Sequence, residues 1–85
     1  MQLVETSKFK KSRKKIKGNL ERDGLKEAIL NILDNPADGK KLKGEFRELR
    51  SFSYTVKGQE RRLIYKHKKD HLVLISFGPR EGMYR

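Results

Sequence analysis

Eighty-five residues, 34% hydrophobic and 39% charged, make one domain spanning 1–85 with room for a single thin core. Twenty-two Lys and Arg against 11 Asp and Glu give a net charge of +11, a field that draws polyanions, nucleic acid first and an acidic protein second. The lack of cysteine excludes a disulfide scaffold, a thiol nucleophile and a thiolate metal site.

Taken in order, residues 1–5 (MQLVE) read as a short edge strand carrying Leu3 and Val4. Thr6 or Ser7 can cap a helix running to about residue 17. Its apolar stripe is only Phe9 and Ile16, which share one face. Lys8, Lys10, Lys11, Arg13, Lys14, Lys15 and Lys17 surround that stripe, and their mutual repulsion means that packing or an acidic partner must hold the helix. After Gly18, residues Leu25, Ala28, Ile29, Ile32 and Leu33 fall at the spacing of a core-facing helical stripe. Asn19 or Asp23 offers a cap, and Asn35-Pro36 ends the helix, because proline disfavours helical backbone in the residue before it. A basic loop, 37–44, comes next. Phe52, Tyr54 and Val56 then share one parity, as alternate residues of a strand do, and Phe46 shares it. Leu49 has the other parity, which predicts a bulge or a strand start near Arg50. Lys57-Gly58-Gln59 is a turn. Residues 60–67 form the next strand, with Leu63 and Tyr65 on one face and Arg62, Ile64 and Lys66 on the other. Lys68-Lys69-Asp70 turns the chain into 72–77 (LVLISF), apolar on both faces and ended by Gly78-Pro79.

The expected architecture is α+β: an N-terminal strand, a two-helix antiparallel hairpin, then a three-stranded antiparallel meander, with both helices on one face of the sheet. The other face stays open, and Arg62 and Lys66 are among the side chains that line it. Arginines near the ends of two neighbouring strands then form a groove suited to phosphates. No apolar run approaches bilayer length and no signal peptide opens the chain, so the expected setting is the cytoplasm without membrane contact.

Leu42-Lys43-Gly44 before a strand, Arg62-Leu63-Ile64-Tyr65 within one, and Ile75-Ser76-Phe77-Gly78-Pro79-Arg80 through Tyr84 resemble the RelE/ParE superfamily of bacterial toxins. The likeness spans nearly the whole chain in element order, with its motif detail in the second half. It implies the toxin of a type II toxin–antitoxin pair, monomeric when free and bound in a heteromeric complex by a cognate acidic antitoxin. It further implies a metal-independent, cofactor-free endoribonuclease that cuts mRNA in the ribosomal A site beside 16S rRNA. Arg62 matches the family arginine that contacts the scissile phosphate. Arg80 matches the arginine after the last strand's glycine, and Tyr84 the tyrosine that stacks on a base or relays a proton. Where some relatives carry a glutamate base this chain has Lys40 and Lys41, and where others carry a histidine it has Met83. The general base is therefore open. The ParE branch, which poisons DNA gyrase, and a non-catalytic RNA-binding module are the alternatives.

Independent chemistry favours the same cluster. Cleavage by the RNA's own 2′-hydroxyl requires charge stabilisation at the phosphorane, and guanidinium is planar, permanently charged and bidentate toward phosphate. Against this, Arg62 has Glu60 or Glu81 as a salt-bridge partner within reach, and Arg80 has Glu81. Lys41, Lys43, Arg47, Arg50, Lys57, Arg61 and Arg85 are the candidates for RNA-backbone contacts, which position a substrate without reading its sequence. His67 and His71 straddle a turn and make a poor metal site; they read as exposed turn residues, with His67 a reserve base. Phe52 and Tyr54 are assigned to the core.

Overall fold

In the computed structural model, which describes residues 1–79, the chain runs β1 (Gln2–Glu5), α1 (Ser7–Lys14), α2 (Asn19–Asp34), β2 (Lys40–Lys41), a 3₁₀ turn (Gly44–Phe46), β3 (Leu49–Val56), β4 (Gln59–His67) and β5 (His71–Pro79). Local chemistry sets most boundaries. Thr6 caps α1: its hydroxyl accepts the Phe9 N–H at 3.1 Å and donates to the Ile75 carbonyl at 3.4 Å, which ties the helix start to β5. The helix ends at Lys14, short of the expected residue 17, with Lys11, Arg13 and Lys14 crowding its last turn where the helix dipole favours cations. The N-cap of α2 is Gly18, not Asn19 or Asp23, and Asn35 closes the helix before Pro36 as expected. Lys57 and Gly58, with φ of 52° and 77°, form the two-residue hairpin turn between β3 and β4 that needs left-handed backbone at both positions.

The sheet has five strands in the order β1-β5-β4-β3-β2. One of them, β2, is absent from the sequence expectation; it is two lysines paired antiparallel with Arg50 and Ser51. β1 lies parallel to β5, with Leu3 opposite Leu72, while β3, β4 and β5 form the expected antiparallel meander. β3 begins at Leu49 without a break in register. The irregularity falls instead between β4 and β5: Ile64 faces Ser76 and Tyr65 faces Leu74, leaving Ile75 without a partner on β4.

Both helices cover one face. Phe9 of α1 and Leu25, Ala28 and Ile32 of α2 bury themselves against Leu63, Tyr65, Leu72 and Leu74 of β4 and β5. Phe77 meets Phe9 edge-to-face at 5.1 Å. Full burial of a side chain of this size contributes about 1.5–3 kcal/mol. Tyr65 also locks the loop that follows α2: its hydroxyl donates to the Pro36 carbonyl at 2.7 Å and accepts the Gly39 N–H at 3.0 Å. Gly39 is required there, since a Cβ would sit 2.5 Å from that hydroxyl.

The opposite face carries neither helix. Ser51, Ser53 and Thr55 of β3, Arg62, Ile64 and Lys66 of β4, and Ser76 and Gly78 of β5 share it by register.

Candidate active site

Arg62 stands in the middle of this second face. Its Cα partners are Ser53 on β3 and Gly78 on β5, so small residues flank it on both sides. Gly78 has φ of 150°, a backbone geometry that side chains disfavour, and among the described residues other than its chain neighbours no atom lies within 4 Å of where its Cβ would be. The guanidinium is half-buried, and its contacts are long: Nη1 donates to Ser51 Oγ at 3.4 Å and Nη2 lies 3.4 Å from Glu60 Oε2. Its Nε is buried and has no partner among the described residues. A guanidinium has five N–H donors in a fixed fork. Here that fork is anchored loosely, on a rigid strand, by two contacts at 3.4 Å. Such a group can donate to two oxygens of a phosphate.

The other residues singled out by sequence divide among three places. Arg80, Tyr84 and Arg85 lie outside the described residues. Arg61 points to the helix face, where Nε and Nη2 donate to Glu21 Oε1 at 3.3 and 2.8 Å and Nη2 also reaches Gln59 at 3.1 Å. Arg50 donates to the carbonyls of Ala37 and Gly39 at 3.3 and 2.9 Å. Lys57 sits in the β3–β4 turn, remote from Lys41 at the other end of β3. Lys41, Lys43 and Arg47 are exposed. Lys41, Arg47 and Arg50 come together around a groove of about 340 Å³ at the sheet end, joined by Glu48, Lys66 and the pair His67-Lys68.

Sequence reasoning did not pick out Ser51, Ser53 and Gly78 as the neighbours of Arg62. The signal was present: residues 51–56 (SFSYTV) alternate small polar with large apolar side chains, which separates an outer from an inner face. Phe52 and Tyr54 pack against the core as expected. Burial pushes the Tyr54 phenol up to about 12, with the Glu21 charge adding to the shift and Arg61 opposing it. His71 turns to Asp70 at 2.8 Å, and among the described residues no group of three or more His, Asp or Glu gathers as metal ligands would. Among these residues, too, no helix is long and apolar enough to cross a membrane.

A second groove, about 260 Å³, opens between the two helices and β1, with Leu3, Ile16, Leu25, Ile29, Leu30 and Leu33 in its wall. Arg13, Arg22 and Lys26 edge it.

The family described as ParE-like toxin of type II bacterial toxin-antitoxin system matches residues 3–85. Among solved structures, a chain of the intact E. coli RelBE toxin–antitoxin complex superimposes with a TM-score of 0.73 at 20% identity, over 94% of this chain and 96% of that one. The isolated E. coli RelE toxin gives 0.72 at 22% identity, over 92% and 82%. These likenesses establish a RelE-like fold. No curated protein matches the sequence.

Proposed function

The chain belongs to the ParE-like toxins of type II bacterial toxin–antitoxin systems, and from that premise we propose that it arrests growth as a metal-independent endoribonuclease acting on mRNA, with Arg62 at the scissile phosphate. The observation that carries this reading is the Arg62 guanidinium, loosely held on the helix-free face with a buried Nε that no described residue engages. In the reaction, the RNA's 2′-oxygen attacks the adjacent phosphorus as its proton passes to a base. The bond to the 5′-oxygen breaks, that oxygen takes up a proton, and a 2′,3′-cyclic phosphate remains. The nucleophile belongs to the substrate, so the protein's task is to hold in-line geometry and stabilise the charge that grows on the phosphorane. Arg62 does this by bidentate hydrogen bonding, and a phosphate entering the site displaces Glu60 from its 3.4 Å contact with Nη2. Arg80 adds a second cation and Tyr84 stacks on a base or relays a proton, the roles that family resemblance assigns to them. The ribosomal A site is the setting in which mRNA is presented.

The implied partner is a cognate acidic antitoxin. The apolar groove between the helices, edged by Arg13, Arg22 and Lys26, suits an amphipathic segment with acidic flanks.

Expression in cells tests the proposal. Growth arrest should accompany discrete cuts within translated codons, mapped by primer extension, and Arg62→Gln should abolish both. The ParE-like family match favours one other reading, poisoning of DNA gyrase. A DNA-damage response without mRNA cuts selects it and sinks the nuclease.

A further inference from the structure

Besides Arg62, five Lys and Arg side chains line the groove at the far end of β4. Lys66 shares the outer face with Arg62, four residues further along the strand. At a rise of about 3.3 Å per residue the two Cα atoms are about 13 Å apart, too far to hold one phosphate between them. Lys41, Arg47, Lys66 and Lys68 all line the groove. The backbone that carries Lys41 is held in place: Arg50 donates to the carbonyls of Ala37 and Gly39, which fixes the loop leading into β2, and Lys41 pairs with Arg50 in the ladder. Arg50 is therefore a positioning residue, and the cations above it are the ones that face solvent.

One carboxylate opposes them. Glu48, whose side chain is 73% exposed, lies 3.9 Å from Lys66 Nζ. Two features identify the ligand class. The seven lining residues include no apolar side chain, whereas an amphipathic protein segment needs an apolar anchor of the kind the other groove supplies. One of its lining residues, Lys66, lies on the same strand face as Arg62. An anion that repeats at intervals along a chain fits both.

We propose that this groove binds a backbone phosphate of the RNA distinct from the one at Arg62, and so lays the strand along β4. The inference rests on the RNA-cleaving reading for its substrate class. Lys41, Arg47, Lys66 and Lys68 hold that phosphate, Glu48 weakens the hold, and His67 lines the wall.

The test is binding of a 2′-O-methyl oligoribonucleotide, which the proposed chemistry cannot cut, measured against salt concentration with the full chain. The double variant K66Q/K68Q should bind more weakly and lose about 0.7 from the slope of log K against log salt, the value for one phosphate released from a single strand. Glu48→Gln should bind more tightly than the parent, a gain that unfolding cannot imitate. Lys11→Gln, which removes the same charge from α1, should do neither. If K66Q/K68Q behaves like Lys11→Gln, or if Glu48→Gln weakens binding, the groove is not a phosphate site. If the double variant loses affinity for a polyglutamate peptide and none for the oligomer, the groove serves an acidic protein and the proposal is overturned. Growth arrest by Arg62→Gln is scored separately: retained toxicity defeats the nuclease reading while the oligomer measurement still decides the groove.

Discussion

Arg61 and Arg62 are adjacent in the chain and opposite in circumstance. Successive side chains on a strand point to opposite faces, so Arg61 enters the helix side and Arg62 the bare side. Their side chains are about equally exposed, 15% and 19%. What separates them is how their donors are engaged. Arg61 makes three hydrogen bonds, two of them to the Glu21 carboxylate, and that contact raises its affinity for its proton. Arg62 makes two contacts at 3.4 Å and keeps a buried N–H without a partner among the described residues. Burial alone does not tell a structural cation from one available to a substrate. The occupancy of its hydrogen-bond donors does.

The sharpest way to break this comparison is to remove each arginine in turn. Arg62→Gln should lower the rate of mRNA cleavage by a factor on the order of 10²–10³, the range for losing one preorganised donor at a developing oxyanion, enough to abolish growth arrest, with an unchanged thermal unfolding midpoint. Arg61→Gln should do the reverse, costing about 0–1 kcal/mol for a partly exposed pair while growth arrest persists. Equal effects of the two on toxicity would end the distinction between the faces.

A second pair sharpens it within the helix face. Tyr65→Phe removes a hydroxyl that both donates to Pro36 and accepts from Gly39, so a part-buried carbonyl and a buried N–H lose their partner. The expected cost in urea denaturation is about 1–3 kcal/mol. Tyr54 has a buried hydroxyl with no partner among the described residues. Tyr54→Phe should therefore be neutral or slightly stabilising. Titration separates the same two proteins. Because the folded-state pKa of Tyr54 is raised from 10.0 to about 12, its contribution is complete below pH 10 and is lost as pH climbs from 10 through about 12. The parent should lose more stability than Tyr54→Phe between pH 9 and pH 11. Equal losses would remove Tyr54 from the account.

The elements that place Arg62 were legible because burial writes a period into the sequence. Leu25, Ala28 and Ile32 repeat as a helix stripe, and all are buried. Ser51, Ser53 and Thr55 alternate with Phe52, Tyr54 and Val56, which separates the faces of β3. β2 had no such period: two lysines at a sheet edge owe their conformation to Arg50 and Ser51, residues separated from them by a loop and a 3₁₀ turn. Nor could charge alone sort the RNA-contact candidates. Arg50 binds backbone carbonyls of a loop that only tertiary folding brings to it. Arg61 was assignable by parity to the face of Leu63 and Tyr65, but its partner Glu21 lies 40 positions away. Lys66 and Lys68 join Lys41 only through the strand pairing β2-β3-β4.

The smallest effect belongs to the junction of β1 and α1. There Arg13 donates through Nε and Nη2 to the two carboxylate oxygens of Glu5. That hydrogen bonding, aided by the charges of Arg13, Lys10 and Lys14 and opposed by slight burial, holds the Glu5 carboxyl below its usual 4.5. A depressed carboxyl stabilises the fold at pH above the unfolded value and ceases to do so as pH falls through the folded one. Acid should therefore loosen the parent slightly below pH 4.5, and Arg13→Gln should flatten that part of the profile. Both residues are partly exposed, so screening keeps the change small and salt should shrink it further. Arg13 also edges the apolar groove, and this gives the variant a second readout: weaker antitoxin capture with undiminished growth arrest. If Arg13→Gln instead loses its toxicity while keeping its fold, the helix side takes part in the chemistry, and the division of labour between Arg61 and Arg62 cannot stand.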